Sequence, residues 1–193
     1  MMSARKTVKT IGRKLNNKGA FTLAETLVAV LILLMVSSIV AAGIPVAKNA
    51  CEKVVLTSNA ELLLSTTIST LRNELGTAQG VVRVNDTTLT YFNENIGATS
   101  KITIGPYEYA DLGKTVNTIL YQRYAAVGGM SAQSDVVRLI SRQASTDDLY
   151  PTYDSVTYED GVITFSNLKV NQPGRQGLAG RPTVSIRVIG YSR

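Results

Sequence analysis

The stretch Thr26-Leu-Val-Ala-Val-Leu-Ile-Leu-Leu-Met-Val-Ser-Ser-Ile-Val-Ala-Ala-Gly-Ile-Pro-Val-Ala47 runs for 22 residues without a charged side chain. As an α-helix it would measure about 33 Å, which matches a hydrocarbon core of roughly 30 Å. The apolar part of an ordinary secretory signal is shorter, about 7–15 residues. Upstream, residues 1–20 hold Arg5, Lys6, Lys9, Arg13, Lys14 and Lys18 and no acid. They account for the whole net charge of +6, because the rest of the chain carries 14 basic and 14 acidic residues. Positive flanks are retained on the cytoplasmic face of a membrane. The expectation is a single-pass protein of the inner or cytoplasmic membrane, with its N-terminus in the cytoplasm and everything after Lys48 outside.

Beyond Lys48 the helical pattern continues. No Gly or Pro occurs from Cys51 to Leu75, and Leu64, Ile68, Leu71 and Leu75 recur at the spacing of one helical face. Gly76 then offers a C-cap. One helix from about Phe21 to Leu75 is predicted, apolar all round in its first half and amphipathic in its second. Gly43 and Pro45 predict a kink, since Pro45 has no N–H and its ring crowds the carbonyl of Ala41. Ala41, Ala42, Gly43 and Ala47 would let a neighbouring helix approach closely.

After Gly80 the chain turns to short β-rich runs separated by Gly, Asn and Asp. The predicted strands cover 81–84, 88–92, 101–104, 116–127, 135–140, 155–159, 162–166 and 183–189. The clearest hairpin runs from Val156 to Phe165 around Asp160-Gly161. Asn171 to Pro182 holds three Gly and two Pro and is expected to be a mobile loop. The fold class is therefore α+β, a long N-terminal helix packed on an antiparallel β-sheet head. Residues 1–20 form a basic leader, 21–47 a transmembrane helix, and 48–193 the head, with an amphipathic helix over 48–75 and a β-rich region over 76–193.

At the junction of leader and apolar run stands Lys18-Gly-Ala-Phe-Thr-Leu-Ala-Glu-Thr-Leu27. Here the chain resembles the type IV pilin and type II secretion pseudopilin family, firmly over residues 16–50 and only in architecture beyond. The resemblance implies a pilin-like fold and a cut by a prepilin peptidase after a small residue and before Phe. The same peptidase would methylate the new N-terminus, and a Glu at the fifth mature residue would be needed for assembly. Phe21, Thr22, Leu23 and Glu25 fit that pattern position by position. The departure is Ala20, which stands between Gly19 and Phe21. A cut at Gly19–Ala20 would make Glu25 the sixth mature residue, whereas a cut at Ala20–Phe21 makes it the fifth and is the expected one. Phe21 would then carry the N-methyl group. The implied partners are the peptidase, other pilin or pseudopilin subunits, a polytopic assembly-platform protein and the lipid bilayer. The long β-rich head and the lack of paired C-terminal cysteines favour a minor subunit.

Electrostatics agree with a special role for Glu25. A carboxylate in a membrane helix costs about 2.5–3.5 kcal/mol at the bilayer centre, so it needs a partner or a shallow position. After cleavage it would lie one turn from a charged amine, at the positive end of the helix dipole. The amine of an adjacent subunit would serve equally well and would set axial register. The plain alternative is an interfacial Glu that reaches water.

Other signals are weaker. Cys51, the single cysteine, is read as a partly buried structural residue. All nine tyrosines lie beyond residue 90 and are read as packing residues in strands. Residues 143–168 hold Asp147, Asp148, Asp154, Glu159 and Asp160, while Lys169, Arg175, Arg181 and Arg187 follow. A basic face formed by these four would meet DNA phosphates. The preferred reading is that the acidic and basic stretches neutralise each other within one head or between stacked heads. The Asp147-Asp148 pair lacks the six to eight oxygens a calcium site usually needs, so no metal and no cofactor are expected. With no histidine and no recognisable acid pair, enzymatic function is not expected. The competing reading is an uncleaved signal-anchor protein whose extracytoplasmic β-rich domain binds a ligand or DNA.

Overall fold

The computed structural model describes residues 23–94, 96–109, 113–127, 130–133, 136–141, 145 and 147–189. One helix, α1 (Leu23–Leu75), is followed by ten strands among the described residues. They are β1 (Ala78–Asn85), β2 (Thr88–Asn93), β3 (Ala98–Tyr109), β4 (Lys114–Val127), β5 (Met130–Gln133), β6 (Val137–Arg138), β7 (Tyr150–Thr152), β8 (Ser155–Glu159), β9 (Val162–Gln172) and β10 (Arg175–Arg187). The chain divides into two compact units, the first ending at Cys51 and the second beginning at Glu52.

In the second unit, α1 buries Ala60, Leu63, Leu64, Thr67, Leu71 and Leu75, with Leu56 and Ile68 partly buried beside them. The stripe expected from the sequence is present, with Ile68 at its margin and Ala60 and Thr67 inside it. Thr67 is tolerated in the core because its hydroxyl donates to the Leu63 carbonyl at 2.7 Å. At the end of the helix the Gly76 N–H donates to the Arg72 carbonyl at 2.8 Å. A Cβ on Gly76 would lie 2.7 Å from that oxygen, so the closing turn admits only glycine.

The strands form two antiparallel sheets. The first has the order β1-β2-β3-β4-β5, with β6 also on β4. The second has β9 at its centre, β10 on one side and β7 and β8 along the other. From β1 to β5 each strand pairs with the next across a short loop, the cheapest way for a chain to pair strands. Leu89, Tyr91, Ile102 and Ile119 from the first sheet join Val156, Ile163, Phe165, Leu168 and Val170 from the second. With the buried face of α1 they make one apolar cluster. Each such side chain contributes about 1.5–3 kcal/mol on burial.

Polar contacts tie the two sheets. The Val156 N–H donates to the Asp86 carbonyl at 2.8 Å, and the Tyr153 hydroxyl donates to the Thr87 carbonyl at 2.8 Å. The Thr118 hydroxyl donates to the Pro151 carbonyl at 3.0 Å. Tyr153 also meets Phe165 edge-on at 5.0 Å, and burial pushes its phenol pKa up. Tyr91, Tyr109, Tyr121 and Tyr153 are buried, in keeping with a packing role for the tyrosines.

The β8–β9 hairpin forms as expected. Glu159 pairs with Val162, and the two turn residues Asp160 and Gly161 have φ of 48° and 74°. Both are left-handed, which is what a two-residue turn needs to match strand twist.

The segment Asn171–Pro182 corrects the expectation of a loop. Asn171 and Gln172 end β9, Pro173-Gly174 turns the chain, and Arg175 opens β10. Backbone pairing of Ala179 with Val170 and Gly180 with Lys169 holds the segment, after an irregularity between Arg175 and Ala179. Glycine and proline content misled because ladder bonds come from the main chain, and Pro182 sits in a strand that pairs on one side only among the described residues. The β9 strand also switches faces. Ile163 and Phe165 are buried, then Leu168 and Val170, so the inward parity changes at Asn167, whose φ is 54°. Of the predicted run 135–140, the described residues pair as a strand only at Val137–Arg138, and β5 and β7 form where no strand was expected.

Candidate functional site

The residues Gly19, Ala20, Phe21 and Thr22, which carry the expected cleavage, methylation and motif roles, lie outside the described residues. Leu23 and Glu25 lie inside them, in the first turn of α1. From Leu23 to Cys51 every residue is exposed, including Leu27, Leu31, Leu34, Ile39 and Val46. A soluble core helix would bury such side chains. Among the described residues α1 is the helix long and apolar enough to cross a membrane, and its most apolar window is wholly exposed. It has the length and composition of a membrane anchor or a signal sequence.

The polar side chains inside that window fit a lipid environment. Thr26 donates to the Leu23 carbonyl at 2.9 Å, and Ser38 donates to the Met35 carbonyl at 2.7 Å. These two hydroxyls are satisfied within the helix, as a polar group facing lipid must be. The helix runs without interruption through Gly43 and Pro45. A Cβ on Gly43 would meet nothing within 4 Å, so the glycine leaves an open notch on the helix surface. Cys51 is exposed, which corrects the expectation of a partly buried structural cysteine. It lies on the continuing helix, just past the apolar run.

No protein-family model, curated protein or solved structure matches this chain.

The four basic residues singled out on the head are not gathered onto one face. Lys169 pairs with Asp154 at 3.0 Å, and Arg181 pairs with Glu61 on α1 at 3.7 Å. Arg187 follows the buried Ile186 on β10 and so faces outward, whereas Arg181 faces the helix. Arg175 is exposed at the start of β10. Two of the four therefore meet acids of the same head, and Asp154 is one of the acidic run that precedes them.

Asp154 also accepts from Asn167 Nδ2 at 2.6 Å, which pins the residue where β9 changes face. The hydrogen bond from Asn167, and then that from Lys169, hold the Asp154 carboxyl below its ordinary value. A depressed carboxyl pKa contributes stability that is fully present above the unfolded-state value and lost as pH falls through the folded one. The carboxylate is more than half exposed, so the effect stays below about 1 kcal/mol. The expected result is an Asp154→Asn variant slightly less stable than wild type near neutral pH. The gap between their thermal midpoints should close as pH drops below about 4. A gap independent of pH would assign Asp154 a purely steric role.

One residue that the sequence reading passed over is Arg138. Its signal was present: a single charge inside the apolar run Val136-Val137-Arg138-Leu139-Ile140.

Proposed function

We propose that this chain is a structural filament subunit, a minor pilin or pseudopilin, that is processed by a prepilin peptidase and assembled from the membrane into a type IV pilus-like or secretion filament. The observation that carries the proposal is a coincidence at one point of the chain. The small-residue–Phe21 junction follows the basic leader directly, and Glu25 occupies the first turn of a helix whose apolar surface is exposed on all sides. The second half of the same helix is core to a two-sheet head, so a lipid-compatible rod and a folded extracytoplasmic domain share one element.

In this mechanism no bond is made or broken by the chain itself. Lateral contact between apolar helices supplies cohesion, and the pairing of Glu25 with an N-terminal amine supplies axial register. The small residues at Ala41, Ala42, Gly43 and Ala47 permit close helix approach. The head supplies the surface that distinguishes this subunit from others in the fibre.

The direct test is mass spectrometry of the protein co-expressed with a prepilin peptidase. The expected product begins at Phe21 and carries one added methyl group on its amine. Retention of residues 1–20 would instead describe an uncleaved signal-anchor protein with an extracytoplasmic binding domain.

A further inference from the structure

Arg138, on β6, is 7% exposed. A guanidinium keeps its charge throughout the pH range of a folded protein, so its burial calls for compensation. Part of that comes from the rings of Tyr107 and Tyr109, whose centroids lie 5.4 Å and 5.3 Å from Cζ. Nη2 adds one long hydrogen bond, 3.4 Å, to the Leu149 carbonyl. Nε and Nη1 donate to no partner among the described residues. Buried polar groups are nearly always hydrogen-bonded, and a charged group is the costliest to leave otherwise.

The same side chain lines an open cleft of about 500 Å³, together with Thr70 and Glu74 from α1, Tyr121 and Arg123 from β4, and Leu139. Arg123 is fixed in the wall, since its Nε donates to the Tyr121 hydroxyl at 2.9 Å and its Cζ lies 5.3 Å from that ring centroid. Glu74 accepts from Asn93 Nδ2 at 3.0 Å. Two guanidiniums against one carboxylate leave the lining with one net positive charge, and Leu139 gives it an apolar side.

We propose that this cleft binds a single carboxylate borne on a short aliphatic stem, the carboxylate seated on Arg138 and Arg123 and the stem against Leu139. Arginine presents paired donors that match a carboxylate, and Arg138 has two donors that the head leaves without a partner among the described residues. Glu74 opposes a phosphate dianion or a dicarboxylate. Two sources supply the same chemistry: a free small monocarboxylate, or an acidic side chain of a second copy of the chain.

The test uses the full-length chain in detergent micelles, titrated with sodium butyrate and, separately, with inorganic phosphate at matched ionic strength. The arginine Nε–H nuclear magnetic resonance signals are followed. The Arg138 signal should shift and saturate at roughly 1–10 mM butyrate, with phosphate about tenfold weaker. Arg138→Met should weaken butyrate about tenfold or more while leaving the unfolding temperature unchanged or higher, because it removes a buried charge that the unliganded head compensates only in part. Arg123→Gln, at the exposed rim, should weaken butyrate a few-fold without altering stability. Sedimentation with and without butyrate separates the sources. Butyrate that dissolves a self-associated species identifies the second copy's carboxylate, and saturable binding at constant mass identifies a free ligand. Absence of a saturable shift at Arg138 up to about 50 mM butyrate overturns the proposal. So does an Arg138→Met variant that is destabilised yet titrates like wild type. Should that variant be destabilised and also lose binding, Arg123→Gln decides: unchanged butyrate affinity there overturns the proposal, and a few-fold loss upholds it.

Discussion

Glu25→Gln is expected to yield a chain that is inserted, cleaved and membrane-resident but missing from sheared filaments. Glu25 is the sole charged residue between Lys18 and Lys48, so no other side chain on this segment can offset an amine placed in lipid. The substitution keeps size and some hydrogen bonding and removes the negative charge. Insertion depends on the basic leader and the apolar run, and cleavage on the Ala20–Phe21 bond and its flanks, all of which are unchanged. In the proposed mechanism, what disappears is the attraction between the carboxylate and the N-terminal amine. Breaking a buried charge pair by removing one partner commonly costs about 3–5 kcal/mol, and 1.4 kcal/mol is a factor of ten. A loss of incorporation of about tenfold or more is therefore expected, measured by immunoblot of sheared filaments against the membrane fraction. Glu25→Asp should be intermediate, because the charge survives on a shorter arm. Incorporation of Glu25→Gln at the wild-type level along the whole filament would remove the register contact from this mechanism. A subunit confined to the tip has no subunit ahead of it to pair with, so immunolocalisation belongs in the same experiment.

Leu71→Asp is expected to unfold the head or leave it barely stable. Leu71 is 0% exposed and sits among the side chains that both sheets present to α1. Truncating a buried leucine alone costs about 2–5 kcal/mol, and the aspartate adds an unpaired buried charge. Single domains have about 5–15 kcal/mol in total, so the substitution consumes most of it. Leu62→Asp is the matched control, since Leu62 is 68% exposed on the same helix, and it should change stability by less than about 0.5 kcal/mol. Urea unfolding of residues 48–193, followed by circular dichroism, reads both. The wild-type fragment should give a mixed α+β spectrum. Equal effects of the two substitutions would mean that this face of the helix is not buried in the head.

The parts of the fold legible in the sequence were those written in side-chain period. Leu64, Leu71 and Leu75 announce a helix face because an apolar stripe at 3.6-residue spacing has few other uses. Asp160-Gly161 announces its turn because few other residues accept two left-handed conformations in succession. The parts that stayed hidden are held by main-chain groups or by contacts distant in sequence. The first half of β10 pairs with β9 through backbone donors that carry no residue signature. At the parity change, the Asn167 side chain donates to Asp154, thirteen residues away. The candidate assembly site divides in the same way. Its motif is contiguous and could be read directly, whereas the proposed carboxylate cleft draws Thr70, Arg123 and Arg138 from separate elements.

The irregularities of β10 matter most where many copies of the chain stand side by side. A strand with a neighbour on one side only offers its other row of backbone donors and acceptors to any passing strand, and crowding makes such unwanted fusion more frequent. β10 is poorly suited to that exchange. Its pairing is irregular between Arg175 and Ala179 and skips Pro182, which has no N–H to give, opposite Asn167. Arg175, Arg181 and Arg187 are spaced along its length, so a second β10 brought alongside would meet like charge. Copies packed together are thereby left to recognise one another through side chains, which can be exchanged or released, and not through a continuous shared sheet, which would lock them in place.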